Sequence, residues 1–194
     1  FIVIPVNTTF DTIVEDSNIK KPLVAPKTLH GQWIKKCEKY GLSIDKIDKQ
    51  INSALSDVRA IKEIPREQKE RGKLKEYPIG TVVPVIGQEE TIFLLVALSK
   101  FDKNNNAHAN RNDVSKAVYE LINYCDQNGQ QKPVYIPLMG TGLSRANISK
   151  NEALHLIKYT LLACSSNIHE NVTLVVYEGD KCSVPILSVP ILGE

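Results

Sequence analysis

Two stretches of this chain are apolar at almost every position, and they constrain the fold more than any other feature. Phe1 to Val6 reads Phe-Ile-Val-Ile-Pro-Val, and Thr91 to Ser99 reads Thr-Ile-Phe-Leu-Leu-Val-Ala-Leu-Ser. Short aliphatic runs without polar alternation are the signature of strands buried on both faces. A strand of that kind needs a covering layer on each side, and the intervening sequence supplies helical patterns. Thr28 is placed to cap a helix carrying Trp33, Ile34 and Cys37. Ser43 opens a second, with Ile44, Ile47, Ile51, Leu55 and Val58 at spacings of three and four, ended by Pro65. Asn112 or Asp113 caps a third, through Val114, Ala117, Val118, Leu121 and Ile122 to Asn128-Gly129. Ser149 and Glu152 form a capping box for a fourth, through Leu154, Ile157, Leu161 and Leu162. Further strands are expected at Gly80–Ile86, Pro133–Met139 and Val172–Tyr177, with Gly87 supplying an awkward dihedral in the turn before Thr91. Strands alternating with helices predict a three-layer α/β sandwich.

Composition narrows the class. A length of 194 residues suits one domain, and 24 basic against 22 acidic side chains leave a net charge of +2, too balanced to nominate nucleic acid. No apolar run reaches the roughly 18–20 residues of a membrane span, and no signal peptide is visible. Cys37, Cys125, Cys164 and Cys182 form no C-x-x-C pair, and the four histidines fall at no ligand spacing. Packed, reduced thiols are therefore expected, with no metal and no cofactor. Residues 40–76 read as a helical and charged insertion on a simpler core, with 66–76 as a solvated face or connection. The pentapeptide Ser-Val-Pro-Ile-Leu occurs twice in tandem within 183–194, and its prolines predict an edge or surface tail. The chain opens at Phe1 inside an apolar run, which reads as a fragment of something longer.

Ligands of open α/β sheets sit beyond the carboxyl ends of the strands, so the loops there carry the functional reading. Asn7, Thr8, Thr9, Phe10 and Asp11 follow the first strand; Asn7 suits ribose hydroxyls, and turn formation explains it equally. Leu29-His30-Gly31 opens a helix, where glycine permits close approach and His30 is either a donor or a structural residue. Met139-Gly140-Thr141-Gly142-Leu143 follows a strand and precedes a helix, an arrangement that gathers backbone N–H groups on an anion or simply makes a tight turn. No Gly-Lys-Ser/Thr follows it, which excludes a Walker A loop. Ser144 and Arg145 lie just beyond, and Arg145 suits bidentate pairing with a phosphate or carboxylate. Lys100, Phe101 and Asp102 leave the central strand on the same side.

Val6-Asn7-Thr8-Thr9, Leu29-His30-Gly31, Pro137-Leu138-Met139-Gly140-Thr141-Gly142-Leu143 and the late strand ending at Tyr177 stand in the chain order of macro domains, which the sequence resembles. Val-Asn-x-x-Phe-Asp-Thr, Leu-His-Gly-Gln-Trp, Tyr-Pro-Ile-Gly-Thr and Pro-Leu-Met-Gly-Thr-Gly-Leu-Ser-Arg are similar to a divergent bacterial branch that includes effectors of the Thoeris anti-phage system. The resemblance extends from about Phe1 to Asp180. It implies a macro-domain-like three-layer α/β/α sandwich over 1–182, followed by the tail 183–194. It implies an ADP-ribose-type ligand: the ribose on Asn7, the diphosphate between the two glycine loops, and Tyr177 near the adenosine. The sequence departs from catalytic macro domains in having a single glycine, Gly31, in the first loop and Thr9 or Phe10 in place of a second asparagine. The aspartate that reads adenine in many members is expected to precede the first strand and is not in this fragment, so Phe10 or Tyr177 is the candidate to stack on the base.

Within that resemblance the chain is expected to be a sensor for an ADP-ribose-derived signal, histidine-ADP-ribose, made by a TIR enzyme. Ligand-dependent self-association at the membrane would follow, with 40–76 and the tail as protomer contacts. Two transmembrane helices are implied upstream of Phe1, making this the cytoplasmic domain of a bacterial inner-membrane-anchored protein. Hydrolysis of an ADP-ribosyl bond is the alternative, with Asp11 or Asp102 as its only nearby carboxylates. An interaction domain that binds no ligand is the third reading.

Overall fold

A computed structural model of the chain describes residues 1–14, 23–69, 71–102, 106–129, 132–141, 148–164 and 171–184. The two apolar runs become β1 (Ile2–Asn7) and β5 (Ile92–Phe101), paired in parallel from Ile2–Phe93 to Val6–Ala97. Around them form α1 (Leu29–Lys39), α2 (Ile44–Ala54), the short strands β2 (Lys62–Glu63) and β3 (Lys75–Glu76), and β4 (Val82–Ile86). After β5 come β6 (Ala107–His108), α3 (Arg111–Asn128), β7 (Val134–Pro137), α4 (Lys150–Ala163) and β8 (Val172–Val175). The main sheet runs β4-β5-β1-β7-β8, with β6 paired to the end of β5 and β2–β3 a separate hairpin. β1, β5, β7 and β8 are mutually parallel, and β4 is antiparallel at one edge.

The prolines obey the ladder. Tyr135 N–H donates to the Phe1 carbonyl, so odd-numbered residues of β1 direct their backbone groups toward β7. Pro5 therefore lacks a donor only on that side, where β1 and β7 are in register at Ile2–Tyr135 alone, and the β1–β5 ladder is spared. Pro84 sits in the edge strand β4, where a missing donor is tolerated.

Alternation sends successive residues to opposite cores. Val3, Leu94, Val96, Val134 and Ile136 pack against Val118, Leu121 and Ile122 of α3 and Ala153 and Ile157 of α4. Ile4, Val6, Val83, Val85, Leu95 and Ala97 pack against Trp33 and Ile34 of α1 and Ile47 and Ile51 of α2. The segment 40–76 thus supplies α2 and, with it, part of the second core. On β7 and β8 that second face has no such cover among the described residues: Tyr135 and Val175 are exposed.

Caps appear where side chains can reach free N–H groups. Thr28, Ser43 and Ser149 cap α1, α2 and α4, and Ser149 with Glu152 completes the expected box. Three expectations are corrected. The third helix is capped by Asn110, in a box with Asp113, because that pairing satisfies the Asn110 and Asp113 N–H groups together. The second ends at Ala54, ten residues before Pro65 is reached, where the Ser56 hydroxyl takes the Ser53 carbonyl. In the turn before β5, positive φ falls on Glu89 (51°) and Glu90 (58°), not on Gly87. Gly87 is required by space instead, since a Cβ there would stand 2.6 Å from the Phe93 ring. Cys37, Cys125 and Cys164 are buried single thiols; burial, with Glu38 nearby, pushes Cys37 up to about 11. Cys182 is exposed. No helix among the described residues is long and apolar enough to cross a membrane.

Candidate functional site

β1 has β5 on one side and β7 on the other, so the chain departs from the central strand in both directions. The crevice beyond the carboxyl ends of such strands is where open sheets bind ligands. A cavity of about 1150 Å³ lies there, large beside the roughly 300–1,000 Å³ of ordinary small-molecule sites. The ends of four parallel strands contribute to it: Asn7 from β1, Ser99 and Phe101 from β5, Pro137 and Met139–Thr141 from β7, and Val175 and Tyr177 from β8. Lys27, Thr28, Leu29 and His30, at the start of α1, form one wall.

Asn7 is held by its oxygen. Oδ1 accepts from the backbone N–H groups of Thr9 (3.1 Å) and Asp11 (3.2 Å) and from the Thr9 hydroxyl (2.8 Å). These donors identify the oxygen, and the Nδ2 amide has no hydrogen-bond partner among the described residues. Asn7 can therefore donate into the cavity that it lines. At the head of α1, Gly31 N–H is taken by the Thr28 hydroxyl, while Leu29 and His30 N–H have no partner among the described residues. The first turn carries no acidic side chain, so the positive end of the helix is unquenched. Gly31 itself does not line the cavity. It is required because a Cβ would overlap the Ala25 carbonyl. His30 is buried against Trp33, with ring centroids 6.1 Å apart, and burial together with the Lys73 charge pushes its pKa down to about 3. It is a neutral donor or acceptor at physiological pH, not a cation.

Gly140 takes φ +87°, a left-handed turn that glycine adopts without strain. Gly142, Leu143, Ser144 and Arg145 lie outside the described residues. So does the tail beyond Val184. Also lining the cavity, Lys150 at the start of α4 pairs with Asp180 in the 3-10 turn after β8. Tyr177, at 75% exposure, is the most open aromatic of the site.

Thr8, Thr9, Phe10 and Asp11 are placed elsewhere than the cavity wall. Phe10 is fully buried, edge-on to Tyr77 at 5.9 Å, so its ring is closed to the cavity. Asp11 has both oxygens engaged: Oδ1 by Lys73 N–H (2.7 Å) and Oδ2 by Lys69 Nζ (2.6 Å), with the Thr9 hydroxyl, which has one proton to give, 2.6 Å from Oδ2 as well. Lys69 is the partner that sequence reasoning missed. It belongs to the charged stretch 66–76, expected to be solvated, yet its side chain is 3% exposed. Burial pulls its ammonium below the usual lysine range, and Asp11 pulls the other way. Nothing local distinguishes it from Lys73 or Lys75. Ser99, Asn106, Tyr135, Lys150 and Asp180 also line the cavity without having been singled out. Of these, Tyr135 had a signal, since Val134 and Ile136 flank it with their apolar faces turned the other way. Asp102, the other carboxylate considered for catalysis, accepts from the Asn106 backbone and side chain and contacts His108 at 3.1 Å.

Comparison with known proteins adds a family match. The family model described as "Thoeris protein ThsA, Macro domain" matches residues 1–177. Thoeris protein ThsA of Bacillus amyloliquefaciens (strain Y2) is 32% identical over 184 residues, covering 92% of this chain and 57% of that protein. The chain therefore spans little more than half the length of that relative.

Proposed function

Because the chain belongs to the Macro domain family of Thoeris protein ThsA, we propose that its cavity binds an ADP-ribose-derived nucleotide as the sensing step of anti-phage defence. The observation that carries this reading is the convergence of three donor sets on one cavity: the Asn7 amide, the open N-terminus of α1 and the backbone at Gly140-Thr141. Helix N-termini and glycine turns favour anions, and an asparagine amide suits a ribose hydroxyl. In the proposed pose the diphosphate lies between Leu29–His30 and Gly140–Thr141, with Lys27 and Lys150 supplying positive charge. The distal ribose meets Asn7. The base lies toward Tyr177, where an exposed ring offers a stacking face.

Binding without turnover is supported by Asp11. A general base needs a lone pair within reach of the attacking water, and both Asp11 oxygens already accept hydrogen bonds away from the cavity. Histidine-ADP-ribose from a TIR enzyme is the favoured signal. Its binding would order the glycine loops and drive self-association of a membrane-anchored effector from the cytoplasmic side.

Calorimetric titration and thermal melting test the reading together. At about 100 times the dissociation constant a ligand adds roughly 2.7 kcal/mol, so ADP-ribose and histidine-ADP-ribose should raise the melting temperature clearly. Absence of any shift with either compound would refute the proposal. Gly140→Val, which forces a β-branched side chain into a left-handed turn, should remove binding in a folded protein. Chromatographic release of free ADP-ribose from the conjugate would establish hydrolysis instead.

A further inference from the structure

Asn7 can present its amide to the cavity only while its oxygen stays fixed, and the groups that fix it trace to a distant part of the chain. The Lys69 ammonium has three protons and three acceptors: Asp11 Oδ2 at 2.6 Å, Thr9 Oγ1 at 2.8 Å and the Lys73 carbonyl at 2.6 Å. The Thr9 hydroxyl has one proton and two acceptors in range, Asn7 Oδ1 at 2.8 Å and Asp11 Oδ2 at 2.6 Å. With Lys69 bonded to Asp11, the charge of that carboxylate is balanced, and Asn7 Oδ1 can compete for the Thr9 proton although Asp11 Oδ2 is the nearer acceptor. Without Lys69, the carboxylate takes the Thr9 proton, because a charged acceptor outcompetes an amide oxygen. Gly72 makes the approach possible: it has φ +78°, and a Cβ there would overlap Asp11 Oδ1. Lys73 N–H closes the other carboxylate oxygen at 2.7 Å, and the Lys73 side chain reaches Asp48 of α2, also the acceptor of the Thr12 hydroxyl. Between Asn7 and Asp11, Phe10 sits at φ +52°, a backbone state that bulky residues rarely adopt and that surrounding contacts must hold.

We propose that Lys69, through Asp11 and Thr9, is a positioning residue that sets the Asn7 amide for the ribose of the ligand. Lys69 touches no ligand itself. It converts the charged segment beyond α2 into part of the recognition machinery. The ligand half of this inference rests on the binding mode proposed above, while the clamp on the loop stands on geometry alone.

The test uses Lys69→Met, which leaves the Asp11 carboxylate to take the Thr9 proton, beside the double variant Asp11→Asn/Lys69→Met, which removes both charges and with them that competition. Amide hydrogen exchange at positions 9 and 11, whose N–H groups donate to Asn7 Oδ1, reads the clamp directly. In Lys69→Met, losing the relayed hydrogen bond should speed their exchange about tenfold more than that of the β5 amides, and the double variant should return it toward the wild type. Unchanged protection at 9 and 11, or equal loosening of β5, overturns the clamp. Titration of Lys69→Met then reads positioning: affinity for ADP-ribose should fall roughly tenfold, and affinity for ADP, which lacks the distal ribose, should hold. Equal losses for both compounds, or no loss, overturn the positioning role. If the wild type binds neither compound, the binding reading above has failed, and the exchange data still decide the clamp.

Discussion

The two ends of the cavity are built on opposite principles. At the Asn7 end the cavity-lining group is the tip of a buried network in which Asp11 and Lys69 are almost wholly removed from water. At the Tyr177 end the side chains stand in solvent, and the Lys150–Asp180 pair is partly exposed. A buried network fixes geometry at a high desolvation cost, whereas an exposed rim contributes little to stability and can rearrange around a ligand. The difference teaches that folding and recognition are coupled at one end of this site and nearly separate at the other.

The largest expected effect comes from breaking the buried end asymmetrically. Lys69→Met alone leaves the Asp11 carboxylate uncompensated and should cost about 3–5 kcal/mol of unfolding free energy. Adding Asp11→Asn should recover most of that loss, as measured by denaturant midpoint. A single-variant loss no larger than that of the double variant would mean that the pair is not the buried ion pair described.

Acid probes the same end. The His30 pKa is lowered in the folded state, so between about 6.5 and about 3 the unfolded chain binds the extra proton. Stability attributable to His30 is therefore present above that window and lost as pH falls through it, at up to about 1.4 kcal/mol per unit. His30→Asn should flatten the slope in acid-titrated unfolding curves. An unchanged slope would show that His30 is protonated in the fold. Because the folded imidazole is neutral from pH 5 to 8, ligand affinity should show no His30-dependent step there.

At the exposed end the balance reverses. Tyr177→Ala should change stability by less than about 0.5 kcal/mol. Stacking on a base is worth roughly 1–3 kcal/mol, so affinity for the nucleotide should drop measurably while AMP-free ribose phosphate is unaffected. Lys150→Gln should have the smallest stability effect, about 0–1 kcal/mol for a partly exposed pair. Its signature is a weaker salt dependence of binding in titrations at two ionic strengths.

Much of the architecture was legible because it follows from local rules. The apolar runs of β1 and β5 required cover on both faces, and the Thr28, Ser43 and Ser149 caps announced three helices. The helix start that was misplaced, Asn110, failed because several nearby polar residues satisfy the same capping pattern, and only the bent chain selects among them. The site divided along the same line. Asn7, Leu29, His30, Met139, Gly140 and Thr141 were found because strand ends and glycine turns mark them, Tyr177 through the family resemblance, and all line the cavity. Phe10 and Asp11 carried the same marking, yet Phe10 packs on Tyr77 and Asp11 is held by Lys69 and Lys73, and neither lines the cavity.

The sequence by itself determined the layers, because burial pattern and capping depend on neighbours within a few positions along the chain. It also determined the order of the loops at the strand ends. Only the tertiary structure decided which polar residues of those loops line the cavity and which face each other. Lys69 and Asp11 are separated by 58 positions and 2.6 Å. Pairing two charges across such a span depends on the low dielectric of a core that exists only once the sheet and α2 have closed around it.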